Sequence, residues 1–152
     1  MTQRVNLATV MDRLAIDELI TRYAVAVDDA DWPGYRELFM ADAHADYRDA
    51  GGIAGTVAEV ADWLAETMRA FPVRQHLIVN RRVSIEDLGG YPGDSAEVFA
   101  DYVNPMRGDT GEDFVSGGRY AFALSRADGG WRLRTVVVHE KWRRVTGPLS
   151  AE

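Results

Sequence analysis

The hydrophobic period of this chain changes at Pro72. Before it, apolar residues recur at helical spacing; after it they alternate in twos, and one segment cannot satisfy both periods. From Leu7 to about Asp29, Val10, Met11, Leu14, Ile16, Leu19, Ile20, Tyr23, Ala24 and Val27 predict one long amphipathic helix, started by Thr9 or Asn6 as its cap. A short helix is expected from Trp32 to Phe39, capped by Asp31 with Pro33 in its first turn. His44 to Arg48 reads as a short strand. Gly51, Gly52 and Gly55 link it to a helix from roughly Val57 to Ala70, whose buried side carries Val60, Trp63, Leu64, Thr67, Met68 and Phe71 before Pro72 stops it.

Beyond Pro72 the pattern is sheet. Arg74 to Glu86 alternates Leu77, Val79, Val83 and Ile85 against His76, Asn80, Arg82 and Ser84, and Gly89 to Asp94 turns the chain. Ser95 to Met106 alternates again. After a polar loop at Arg107 to Gly111, Phe114 to Ser125 and Trp131 to Trp142 form two long strands joined at Asp128-Gly129-Gly130. Two or three helices followed by a meander of long strands is the α+β order, with helices packed on one face of a curved sheet.

The chain has 152 residues, 47% of them hydrophobic, which suits one domain over 1–152 with a tail frayed from Thr146. No cysteine is present, which excludes thiol catalysis and cysteine-based zinc or iron–sulfur sites. Seventeen basic residues against 24 acidic ones leave a formal charge of −7, so a nucleic acid is not an expected partner. Met1 to Asp12 hold no basic stretch followed by an apolar run, and no window approaches about 18 apolar residues. The expectation is a soluble, cytoplasmic protein with no membrane partner.

A bent sheet closed by a helix encloses a pocket, and such pockets bind small molecules. Ile16, Ile20, Ala24 and Asp28 are spaced four apart and share one helix row, so Asp28 points inward or at the pocket rim; the alternative is that the helix frays and Asp28 only caps the turn beside Asp29 and Asp31. Acid at that end of a helix opposes the helix dipole and requires a reason. His76 lies on the strand face opposite Leu77 and Val79. Alone it reads as a hydrogen-bonded core or edge histidine. With a carboxylate on one ring nitrogen it becomes a general base, because the partner sets the tautomer and makes the other nitrogen more basic.

Tyr23, Tyr47, Tyr102 and Tyr120 are phenolic donors for an oxygen that gains charge in a transition state, or else they merely pack; Tyr23 and Tyr47 lead. Unbroken alternation puts His139 on the face of Trp131, Leu133, Thr135 and Val137, as a pocket wall or a satisfied core histidine. Tyr102, Asn104, Tyr120, Phe122 and His139 form the expected substrate-contacting set. His44 and Asp46 point the same way without a third ligand, so no metal is expected. Arg107-Gly108-Asp109 is read as a turn, and Arg81-Arg82 and Arg143-Arg144 as solvated pairs.

The stretch Arg13 to Tyr23, then Val27-Asp28-Asp29-Ala30-Asp31-Trp32, Asp46-Tyr47-Arg48, Arg74-Gln75-His76 and Asp128-Gly129-Gly130-Trp131 resemble the SnoaL-like branch of the nuclear transport factor 2 superfamily. The likeness runs from Leu14 to Trp142, and scytalone dehydratase, bile-acid 7α-dehydratase and hexachlorocyclohexane dehydrochlorinase are enzymatic cousins in this group. It implies a cystatin-like α+β barrel in which a cone-shaped, curved mixed or antiparallel sheet wraps around the N-terminal helices. It also implies that a helix-end aspartate and a strand histidine, here Asp28 and His76, meet in the cavity. Tyr23 matches the helix tyrosine of the bile-acid enzyme and Tyr47 the first-strand tyrosine of scytalone dehydratase. The second histidine of scytalone dehydratase has no counterpart around Val103-Asn104-Pro105, and its serine and asparagine appear as Gly118 and Tyr120, which argues against the same substrate.

The reading that follows is a cofactor-independent lyase of the dehydratase type. Its substrate is small, cyclic or polycyclic, largely apolar and carbonyl-bearing. The alternatives are an isomerase or polyketide cyclase on the same frame, or a non-catalytic protein that binds a hydrophobic ligand. Trp131, Trp142 and the apolar strands predict an outer sheet face covered by another copy, in a dimer or trimer.

Overall fold

The computed structural model describes residues 6–148. Helix α1, Leu7–Asp28, begins where the Asn6 side chain accepts from the Ala8 N–H at 2.9 Å. Its inward row Ile16, Ile20 and Ala24 is buried, while Leu7, Met11 and Leu14 in the first turns are exposed. Helix α2, Trp32–Glu37, starts on Asp31, whose side chain accepts from the Gly34 N–H at 3.0 Å. Helix α3, Val57–Met68, starts on Thr56 and buries Val60, Ala61, Leu64 and Met68.

The strands are β1 (Phe39–Asp46), β2 (Ala54–Thr56), β3 (Val73–Arg74), β4 (Leu77–Asp87), β5 (Pro92–Arg107), β6 (Asp113–Ala127) and β7 (Gly130–Thr146). They form one sheet in the order β2-β1-β7-β6-β5-β3, with β4 also paired to β5. The β1–β7 pairing is parallel and the others antiparallel, so the sheet is mixed, and it curls into a half-barrel around the helices. Strands of 15 to 17 residues accumulate twist over their length, and bulges add sharp bends. The core lies between the concave face and α1, with Val98, Phe122, Leu124, Leu133 and Val136 from the sheet meeting Ile16, Ile20 and Tyr23.

Boundaries differ from the sequence expectation where pairing partners decide them. The second helix stops at Glu37 rather than Phe39 because Phe39 pairs with Leu133 and Leu38 O accepts from the Leu133 N–H at 2.7 Å. The first strand therefore starts at Phe39, and Arg48 falls in a 3-10 turn over Arg48–Ala50 that ends at Gly51 with φ 86°. β2 and β3, too short to show a period, went unpredicted. The expected Arg74–Glu86 strand is broken after Arg74 and bulged between Val79 and Arg82, where Asn80 has φ 50°. Leu77 and Val79 consequently face out while Val83 and Ile85 pack on the core, not all four together. Trp131 is buried in the core and not on the outer sheet face. Thr146 closes β7; residues 149–152 of the expected frayed tail lie outside the described residues. Among the described residues no helix is long and apolar enough to cross a membrane.

Candidate active site in the cavity between helix and sheet

Asp28 is the last residue of α1, on the row that buries Ile16, Ile20 and Ala24. His76 immediately precedes β4 on the inward side, since Leu77 and Val79 point out and Ile78 is buried. His76 Nδ1 lies 2.6 Å from Asp28 Oδ1, and the His76 backbone N–H donates to both carboxylate oxygens at 2.9 Å. The carboxylate thus holds main chain and ring together. Because it only accepts, Nδ1 carries the hydrogen, and Nε2 is left as the acceptor. His76 lines the cavity; Asp28 stands behind it, with 20% of its side chain exposed against 8% for His76.

Arg74 supplies the missing reason for an acidic helix end. Its guanidinium donates to Asp28 O at 3.2 and 2.9 Å, and to Met68 O at 3.0 Å and Phe71 O at 2.8 Å. One cation therefore reaches carbonyls at the C-terminal end of α1 and at and just beyond that of α3, where a positive charge also complements the two dipoles. It sits two residues before His76, so the segment that delivers the imidazole is pinned to the helix that delivers the carboxylate.

A second cluster consists of phenols. The Tyr23 and Tyr47 hydroxyls are hydrogen-bonded to each other, and Tyr35 Oη lies 3.0 Å from Tyr47 Oη. Tyr23 and Tyr47 line the cavity; Tyr35, on α2, is fully buried outside it. Burial pushes all three phenols well above their usual range and Tyr120 up to about 12, so at neutral pH each is an O–H donor and not a base. Trp63 stacks on Tyr47 with ring centroids 6.2 Å apart, over Gly52, where a Cβ would meet Trp63 Cη2 at 2.6 Å.

The cavity measures about 240 Å³, small even for a ligand site, and its wall includes Val27, Leu64, Met68, Phe71 and Met106. Tyr102, Asn104 and Tyr120 are on the wall as expected, joined by Ser116 and Arg143. Two expected members are not. Phe122 lies in the core beneath the wall, edge-on to Tyr23 with centroids 5.5 Å apart and stacked on Tyr120. His139 is exposed on the outer face because a bulge at Arg134, between the Leu124–Leu133 and Ala123–Thr135 pairs, reverses the alternation and turns Val136 and Val138 inward.

A second irregularity at Lys141, between the Gly118–Glu140 and Gly117–Trp142 pairs, turns Arg143 toward the cavity. Arg143 is exposed, as expected, but it is also engaged: it lies over the Phe114 ring, 4.9 Å from its centroid, pairs with Glu140 at 2.9 Å and donates to Ala50 O at 2.9 Å. Arg81, expected in solvent, is engaged by Asp17, Thr21 and Ile78 O. His44 is exposed and Asp46 pairs with Arg48, which holds its carboxyl down at about 2. Tyr35, Trp63, Arg74, Ser116 and Arg143 were not singled out as site residues; only the Arg74-Gln75-His76 triplet pointed to one of them.

Residues 8–137 match the SnoaL-like domain family. An uncharacterized protein of Mycobacterium tuberculosis (strain ATCC 25618 / H37Rv) is 32% identical over 130 residues, 84% of each chain. A crystal structure assigned as an aromatic ring hydroxylase from Novosphingobium aromaticivorans is 25% identical with a TM-score of 0.79, covering 91% of this chain and 94% of that one. The hexachlorocyclohexane dehydrochlorinase of Novosphingobium barchaimii shares the fold at 16% identity, with a TM-score of 0.78 over 96% and 97% of the two chains. With a curled mixed sheet, three N-terminal helices and a cavity between them, this chain belongs to the SnoaL-like domain family of the nuclear transport factor 2-like superfamily.

Proposed function

We propose that the protein is a dehydratase-type lyase acting on a small cyclic or polycyclic carbonyl compound. The observation that carries this reading is the 2.6 Å contact between His76 Nδ1 and Asp28, with the rest of the imidazole on the wall of an aromatic-lined cavity. His76 Nε2 takes the proton from the carbon next to the carbonyl. Asp28 holds the imidazole and stabilises the imidazolium that forms. One of the two hydroxyls, Tyr23 or Tyr47, donates to the carbonyl oxygen as it gains charge while the other donates to it, and Tyr35 orients Tyr47 from behind. The bond from the neighbouring carbon to its hydroxyl breaks, the carbon–carbon double bond forms, and the imidazolium returns its proton to the departing oxygen, which leaves as water. No redox change occurs, so the reaction draws on no redox cofactor.

Proton abstraction can be measured before the substrate is known. Wild-type protein in deuterated water is expected to exchange the hydrogens next to the carbonyl of indanone, followed by NMR, with His76→Ala and Asp28→Asn slower by about 10²- to 10⁴-fold. No exchange by wild type removes the base and leaves a ligand-binding protein. Exchange without water loss from any cyclic hydroxyketone moves the assignment to an isomerase or cyclase. As part of the same proposal the whole chain is one domain, and it is a homo-oligomer that covers the outward Leu77, Val79, Phe99 and Val103; a monomer by sedimentation would remove that second element.

A further inference from the structure

A row of polar side chains crosses the sheet wall of the cavity. The Gln75 N–H donates to Pro105 O at 3.0 Å and Leu77 pairs with Val103, so His76 stands opposite Asn104. Asn104 pairs with Ser116, and Ser116 with Arg143; all four line the cavity. Tyr102, two residues before Asn104, shares its face.

Within this wall, Tyr102 Oη and Asn104 Oδ1 are buried with no partner in hydrogen-bonding geometry, although Ser116 is the polar neighbour of Tyr102 and Tyr120 that of the Asn104 amide. Their residues are only 2% and 7% exposed, so bulk water does not satisfy them. Buried polar atoms are paired in almost all native structures, and two unpaired ones on the same strand face are costly to keep. Both open on one cavity, where a bound molecule can supply the partners.

We infer that the ligand carries two polar groups besides its apolar ring: a hydroxyl or N–H that donates to Asn104 Oδ1, and an oxygen that accepts from the Tyr102 hydroxyl. The donor is required, because an amide oxygen only accepts. A hydroxyl that donates to Asn104 gains electron density at its oxygen and becomes a poorer leaving group. It is therefore a recognition hydroxyl retained in the product, distinct from the one lost as water. Asn104 and Tyr102 are specificity-determining residues for hydroxylated ring ketones, an assignment that rests on the cavity being the substrate site.

Four matched probes test it by tryptophan fluorescence, Trp63 being in the wall: indane, indanone, indanol and hydroxyindanone. Wild type is expected to bind hydroxyindanone about tenfold tighter than indanone or indanol, and indane weakest. Asn104→Leu should erase the advantage of hydroxyindanone over indanone, and Tyr102→Phe should narrow its advantage over indane. Neither variant should melt far below wild type, since each removes a buried oxygen that has no partner. Equal binding of indane and hydroxyindanone, an unchanged preference in both variants, or a melting temperature far below wild type in both overturns the inference. The same titrations in His76→Ala separate it from the proposed chemistry. A protein that exchanges no protons but keeps the preference retains this specificity without the lyase reaction, and one that exchanges protons without preference keeps the base and loses the recognition hydroxyl.

Discussion

Helix α1 carries two partly buried aspartates, one near each end, and the sheet grips both. Asp12 accepts from Arg126 at 2.9 and 2.7 Å and from Trp131 Nε1 at 3.0 Å, while Arg126 lies 4.5 Å from the centroid of the Trp131 ring. Asp28 accepts from the His76 ring and backbone. The first partner is a guanidinium that never gives up its proton; the second is an imidazole with one nitrogen uncommitted beside a cavity. The hydrogen bonds from Arg126 hold the Asp12 carboxyl below the usual carboxylate range. Similar anchoring at the two ends of α1 thus serves opposite purposes: a permanent ion pair that clamps the helix to β6, and a pair whose proton can move.

The largest expected contrast comes from removing each carboxylate in turn. Asp28→Asn should slow proton exchange by about 10²- to 10⁴-fold, whereas Asp12→Asn should leave it unchanged, as measured on the same ketone. Loss of exchange in both variants would mean that the whole of α1, and not its end, matters. Stability should sort the other way: Asp12→Asn is expected to cost about 1.5–3 kcal/mol in urea unfolding near neutral pH.

The acid limb sharpens that measurement. Because the folded carboxyl of Asp12 titrates below its unfolded counterpart, its contribution is present above the ordinary carboxylate range and lost as pH falls through the lower folded value. The gap in stability between wild type and Asp12→Asn should therefore close as the pH is lowered, and a gap that stays constant would remove the ion pair as its cause.

Smaller effects concern the phenols beside the second pair. Tyr35→Phe leaves the cavity wall untouched but removes a bond to Tyr47, so kcat is expected to fall about 2- to 10-fold with KM unchanged. A change confined to stability would make Tyr35 purely structural. At alkaline pH the sign is opposite to that of Asp12: the phenols titrate higher when folded, so their contribution holds below about 10 and is lost as pH rises toward and beyond 12. Phenolate absorbance should rise together with the loss of near-ultraviolet circular dichroism. Stepwise ionisation of Tyr23 and Tyr47 in the native protein would contradict their burial.

Much of this was readable from residue order, and what escaped shares one cause. The row ending in Asp28 followed from a spacing of four because each helical hydrogen bond lies within the segment itself. That His76 lies opposite Leu77 and Val79 also followed from alternation, but which of the two faces turns inward did not. The same alternation, carried past Arg134, put His139 on the wrong face and missed Arg143, since a single bulged residue reverses every side chain beyond it until the next bulge. Asn80 did likewise to Val83 and Ile85.

Residue order was enough for the type of the longer elements and for the helix row that ends in Asp28, because those depend on the near neighbours of each residue. Pairing between distant strands set the bulges, the parallel seat of β1 on β7 and the row from His76 to Arg143. It also brought three phenols from α1, α2 and the end of β1 into one hydrogen-bonded cluster, and left Tyr102 and Asn104 facing a cavity without partners. These depend on which hydrogen bonds the neighbouring segment offers, and no local period encodes that.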